Sequence, residues 1–204
     1  MDGEPEVREG RREQKRRDTR LRIAEEGLRL FDRDGYDATT LEAVAAAASV
    51  SARTLFHYFR TKYDVLEFWH DRGFEQALAP ALLAAPAGQE PLPTVRDCLL
   101  QLVPHYETDR LVTVDRIRHS TDTLRADKQM VYFRMEDAVF AALCERWPQP
   151  EQRPALRVVA MVSIGALRLA MEARRLNGGR RALADHLKDV FALLSDRSKV
   201  NRLF

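Results

Sequence analysis

Apolar residues recur three and four positions apart along nearly the whole of this chain, a spacing that suits α-helix and little else. Few runs alternate with period two, and Asn177-Gly178 follows a long helical stretch where a hairpin turn would sit between β-branched runs. The spacing predicts a first helix over 19–34, with Leu21, Ala24, Leu28 and Phe31 on one stripe and Gly35 as terminator. Thr39 and Glu42 form a capping-box pattern for a second helix, 40–47. Ser49-Val50 breaks it, and a third short helix follows over 51–58. Thr61 with Asp64 opens a longer fourth helix carrying Phe68, Trp69, Phe74 and Leu78. A loop rich in Pro and Gly covers 84–94, and further helices are expected over 94–105, 109–119, 121–147, 152–176 and 181–195. The expected fold is all-α, about nine helices, with a three-helix head on a larger body. The domains are a flexible basic arm (1–18), a head (19–61) and a body (62–204).

With 204 residues, 45% apolar and 31% charged, the chain can build a sizeable core. No run of 18 consecutive apolar residues occurs, and the stretch 4–22 is charged with no apolar segment behind it. We therefore expect no membrane partner, no signal peptide and a cytoplasmic location. Cys98 and Cys144 form neither a zinc pattern nor a disulfide framework. Net charge is only +2, yet residues 8–22 hold eight Arg and Lys against three acids, and 43–63 hold Arg53, Arg60 and Lys62 with no acid. Local patches thus permit a nucleic-acid partner that bulk charge does not demand. The arm is either solvated charge or an extension that touches phosphates or the minor groove.

The stretch TTLEAVAAAASVSARTLFHYFRTKY (39–63) is a helix-turn-helix candidate. On a helical wheel Leu55 and Phe59 point together into a core, while Arg53 and His57 fall opposite, flanked by Thr54 and Phe56. Arginine can fork onto guanine O6 and N7, and threonine can bond a base edge or touch a thymine methyl. Tyr58 and Lys62 have the reach for phosphate oxygens, and the helix start at Thr39-Thr40 offers free N–H groups. Enzymatic chemistry finds no support. The histidines 57, 70, 105, 119 and 186 form no HExxH pattern, no phosphate loop or GxSxG elbow occurs, and neighbouring carboxylates such as Glu25-Glu26 and Glu136-Asp137 diverge on a helix. No cofactor or metal site is expected.

Residues 19–66 closely resemble the DNA-binding domain of the tetracycline-repressor-like (TetR) family of transcriptional regulators. The resemblance lies in Ile23, Ala24, Leu28, Phe31, Gly35-Tyr36, Thr39-Thr40, Val44-Ala45, Ala48, Val50-Ser51, Leu55 to Phe59, Lys62 and Leu66. It implies a homodimer that reads an inverted-repeat operator, usually as a repressor released by a small-molecule effector. A ligand-independent or activating regulator is the alternative. It places base-facing positions on Ala52, Arg53, Thr54 and His57, and phosphate contacts on Thr40, Phe56, Tyr58 and Lys62. Two departures stand out. Ser49 occupies a turn position where the family usually has glycine, and a serine held at positive φ costs on the order of 1 kcal/mol. Phe56 stands where tyrosine is common, so contact with a sugar or a thymine methyl replaces a phosphate hydrogen bond.

The same resemblance implies a ligand cavity in the body, for which Phe68, Trp69, Phe74, Leu102, Tyr106, Phe133, Phe140 and Ile164 are the candidate lining. It implies a dimer bundle of the last two helices through Leu156, Val159, Ala166, Leu183, Leu187, Val190, Phe191 and Leu194. Arg168, amid an apolar run, either pairs with an acid across that interface or anchors an anionic ligand. The arginine-rich second half loosely resembles regulators of the mycofactocin-system type, some of which sense acyl-coenzyme A esters. The effector is expected to be largely hydrophobic, with room for an anionic end.

Overall fold

The computed structural model describes residues 4–69 and 72–195, and among these every regular element is a helix. Ten α-helices follow in order: α1 Glu4–Asp34, α2 Leu41–Ala47, α3 Ala52–Tyr58, α4 Lys62–Glu67, α5 Arg72–Ala84, α6 Pro91–Tyr106, α7 Asp109–Arg118, α8 Asp122–Arg146, α9 Arg153–Leu176 and α10 Leu183–Ser195. A single 3-10 turn, Pro150–Gln152, precedes α9.

Three of these boundaries correct the expectation. α1 begins at Glu4, so residues 4–18 of the arm are helical; residues 1–3 lie outside the described residues. Good helix formers and pairs four apart, Glu13 with Arg17 and Gln14 with Asp18, extend it. The single fourth helix is two elements. α4 stops at Glu67, where the indole N–H of Trp69 turns back to donate to the Ala24 carbonyl at 3.0 Å. Pro91, assigned to a loop, instead opens α6, the position where a missing N–H costs nothing.

The chain divides into two compact units, Met1–His70 with Thr113–Leu124, and Asp71–Val112 with Arg125–Phe204. The first is built on the apolar side of α1. Ile23, Ala24, Leu28 and Phe31 pack with Val44, Leu55, Phe59, Val65 and Leu66, while Leu21 of the expected stripe stays exposed. At Gly27 α1 and α4 approach so closely that a Cβ would stand 2.5 Å from a Val65 methyl, so only glycine fits. The second half of α7 is fastened to this unit by Arg116 on Asp32 (2.5 Å) and by the buried Arg118 on Glu67.

In the second unit α6, α9 and α10 pack together and α5 packs on α6. Leu78, Leu99, Val139, Leu143, Ala160 and Leu187 form its fully buried centre. Glu107 clamps it: its carboxylate accepts from the Leu183 N–H at the start of α10 (3.0 and 3.2 Å) and pairs with Arg174 of α9 at 2.6 Å. Arg146 caps the end of α5 through the Leu82 and Leu83 carbonyls, both at 3.2 Å. Burial raises the Cys98 thiol pKa above its ordinary value, which keeps it protonated. An 18-residue window within Pro150–Leu176 has a mean hydropathy of 1.5, enough by length and composition to cross a membrane. This amends the expectation drawn from uninterrupted runs. In the structure the helix turns Leu156, Ala160, Ile164 and Leu167 into the unit's own core.

That packing also corrects the dimer-face residues. Leu156, Ala166, Leu183, Leu187 and Phe191 are buried inside their own chain, because the stripe of α10 lies on α6 and α9. Val159 and Val190 are half-buried, and Leu194 is exposed. Leu187→Ala should therefore cost about 2–5 kcal/mol, and Phe191→Arg should unfold the second unit instead of merely separating protomers. Thermal unfolding followed by circular dichroism checks both; Phe191→Arg with an unchanged transition would refute this packing.

Candidate nucleic-acid interface

α2 starts where the Thr40 hydroxyl accepts from the Ala43 N–H at 3.1 Å, which leaves its own O–H to donate outward. Thr39 beside it is buried, and its hydroxyl donates to the Gly35 carbonyl at 2.8 Å. At the other end the Val50 N–H reaches the Ala45 carbonyl (3.0 Å) and the Ser49 N–H the Ala46 carbonyl (3.1 Å), the Schellman pair of bonds. The pair requires a left-handed residue, and Ser49 sits at φ 53°. The turn therefore keeps its shape at the expense of a strained serine. Arg22 of α1 donates from Nε to the Ala48 carbonyl at 3.1 Å, tying the turn to α1.

Ser51 caps α3 by accepting from the Thr54 N–H at 3.1 Å, and the two hydroxyls are 2.8 Å apart. Leu55 and Phe59, 0% and 1% exposed, anchor the helix. Their opposite side presents Ala52, Arg53, Phe56 and His57 to solvent. Thr54 and Tyr58 are half-buried, and the rings of His57 and Tyr58 meet edge-on at 5.2 Å. Thr54 thus spends its hydroxyl on Ser51 and offers chiefly its methyl. Lys62 is also partly committed: its ammonium donates to the Tyr36 and Asp37 carbonyls at 2.7 and 3.1 Å and lies over the Tyr36 ring. One of its three N–H donors remains. Burial, with Asp37 and Asp64 adding to it, pushes the Tyr36 phenol up, so that ring stays neutral beneath the cation. The Thr61–Asp64 capping box, read from sequence, is present, and the Asp64 carboxylate also accepts from the Arg60 N–H at 2.8 Å.

The candidate pocket residues are divided between the two units. Phe68 and Trp69 pack edge-on in the first unit's core, 4.9 Å between rings. In the second unit Phe74 meets Tyr106 edge-on at 5.5 Å, Leu102 and Phe140 are half-buried against the core, and Ile164 is inside it. Phe133 is 57% exposed. A surface cavity of about 800 Å³ opens elsewhere in that unit, lined by Gly88, Glu90, Leu92, Arg146, Trp147, Gln152 and Val159. Arg168 is exposed and reaches Gln129 at 3.5 Å, so it is not buried amid the apolar run. Sequence reasoning missed Arg22 and Glu107; both act on backbone groups far away in sequence, which leaves no local pattern.

The described residues form an all-helical protein with a helix-turn-helix head, and comparison with known proteins gives its family. Residues 23–67 match the model of the bacterial regulatory proteins, tetR family. The transcriptional repressor KstR of Mycolicibacterium smegmatis is 30% identical over 162 residues, 78% of this chain and 79% of that protein. The chain belongs to the TetR family. The transcriptional regulator TcmR of Streptomyces glaucescens is 33% identical over 110 residues, 54% of this chain, and the match spans about half of TcmR's length (48%). Thermus thermophilus FadR, a TetR-family repressor solved with lauroyl-CoA, superposes with a TM-score of 0.53 at 25% identity, covering 88% of this chain and 94% of that one. The relatives are transcriptional regulators and repressors, in line with a regulator in place of an enzyme.

Relief of the strained turn is directly measurable. Ser49→Gly should stabilise the first unit by about 0.5–1 kcal/mol, seen as a higher denaturation midpoint, whereas Ser49→Val should lower it. A glycine variant no more stable than the parent would show that the turn carries no such strain.

Proposed function

We propose that this protein is a homodimeric transcriptional repressor that binds an inverted-repeat operator and is released by a small, largely hydrophobic ligand. The observation that carries the reading is α3: a capped helix held by Leu55 and Phe59, with Arg53 in its first turn and His57 in its last both facing solvent. Ala52, Arg53, Thr54 and His57 would face bases; Arg53 would fork onto guanine, and Ala52 and the Thr54 methyl would touch thymine methyls. Thr40, Tyr58 and the remaining Lys62 donor would take phosphates, and the exposed Phe56 a sugar or thymine methyl. Residues 19–61 would serve as the DNA-binding domain and 62–204 as the ligand-binding and dimerisation domain, in the cytoplasm.

The dimer face now falls on the outer side of α9. Val158, Met161, Leu169 and Leu176 are 52–77% exposed at helical spacing, and Leu193 and Leu194 of α10 are exposed as well. Apolar stripes of this kind mark association sites. The FadR neighbour was solved with lauroyl-CoA, and a ligand of that chemistry, apolar with an anionic end, suits the aromatic side chains Phe74, Tyr106 and Phe140 on the second unit's core.

Selection of bound duplexes from a random pool should recover an inverted repeat. Arg53→Ala should then cost about 1–3 kcal/mol and relax preference at one position of each half-site; intact preference there would reassign the base-reading residue. Leu169→Glu should give a folded monomer by sedimentation, with operator binding greatly weakened. A dimer that survives this change would move the interface off α9.

A further inference from the structure

The basic run at 8–22 has no part in the function described so far, and the structure turns it into a rigid object. It forms the first half of α1, continuous with the segment that carries the first unit's core. Its cations differ in their commitments. Arg17 pairs with Glu13 at 3.4 Å, the Arg20 guanidinium lies over the Phe59 and Phe68 rings at 5.6 and 5.1 Å, and Arg22 holds the Ala48 carbonyl. Arg12, Lys15 and Arg16 are exposed and, among the described residues, have no ion-pair partner.

The Arg22 bond fixes where these three stand. It joins α1 to the turn that leads directly into α3, which begins at Ala52. With a rise of about 1.5 Å per residue, Lys15 and Arg12 lie roughly 10–15 Å farther along α1 than that contact. At 100° per residue Arg12, Lys15 and Arg22 fall within about 80° of one another, and Arg16 about 40° beyond. Arg12 and Lys15 therefore continue the side of α1 that faces the turn, and Arg16 flanks it. Arg12 and Arg16, four apart and alike in charge, repel each other unless an anion neutralises them.

We propose that this extension of α1 is a second DNA-contacting element, in which Arg12, Lys15 and Arg16 grip backbone phosphates flanking the stretch read by α3. The inference rests on the reading of α3 as the base-reading helix. Phosphates are the target because a helix of about 10–12 Å diameter cannot enter a minor groove about 6 Å wide. Arginine and lysine on a stiff rod can meet successive phosphate oxygens, and guanidinium does so bidentately.

The test uses the full chain carrying Arg12→Ala, Lys15→Ala and Arg16→Ala together, beside Arg53→Ala. Fluorescence anisotropy is measured against salt on two probes, a mixed-sequence duplex and the duplex selected by the parent protein. The triple variant should lose about 2–3 from the slope of log K on log salt per head, weaken on both probes by the same factor, and lose hydroxyl-radical protection only outside the half-site. Arg53→Ala should keep the flanking protection and lose discrimination between the probes. Arg12→Glu with Arg16→Glu, at unchanged far-UV circular dichroism, should bind more weakly than the alanine variant. A triple variant with the parent's slope and footprint overturns the extension's role while leaving the α3 reading intact. A parent protein that selects no duplex and does not bind the mixed-sequence probe overturns both.

Discussion

The first unit depends on the apolar side of α1. Ile23, Ala24, Leu28 and Phe31 give α2, α4 and the second half of α7 a common surface, and Gly27 lets α4 approach until Val65 occupies the space of a missing Cβ. Polar groups of α1 and its partners then fix the details. Arg22 holds the Ala48 carbonyl, and the Ala24 carbonyl takes the Trp69 indole N–H. The first closes a carbonyl just past the end of α2, and the second gives a partner to a buried indole N–H.

Presentation of α3 follows from that frame. A seven-residue helix is too short to persist alone in water. The Ser51 cap contributes about 1 kcal/mol and the burial of Leu55 and Phe59 several more, which together keep the helix formed with Arg53 and His57 outward. The Ser49 turn works against this by on the order of 1 kcal/mol, a strain the surrounding packing outweighs. Lys62 shows how a side chain with DNA-binding chemistry can also be structural: two of its donors close carbonyls past the end of α1.

In the second unit a shared apolar character conceals two different tasks. α9 carries Leu156, Ala160, Ile164 and Leu167 on one side and Val158, Met161, Leu169 and Leu176 on the other. Composition does not distinguish the two stripes. Only the position of α6, α8 and α10 decides which is core and which is free, and the Glu107 clamp on Arg174 and the Leu183 N–H holds α10 in that position.

Much of the head was legible in the sequence, for a reason of range. Capping at Thr61, the break at Ser49, and the opposition of Leu55 to Arg53 are set by residues within one or two helical turns, where spacing alone dictates geometry. The expected Thr39–Glu42 box is replaced by a cap from Thr40, because the buried Thr39 hydroxyl turns back to the Gly35 carbonyl. The all-helical class came from the same source. Burial across tens of residues was not legible. The division of the fourth helix, the interior place of Leu187 and Phe191, the exposure of Phe133 and the reach of Arg22 to Ala48 all depend on which distant surface arrives. The sequence by itself determined which residues share a side of a helix. The tertiary structure decided which of those sides meets core and which meets solvent, because an apolar stripe is attracted equally to any apolar partner and only the whole packing selects one.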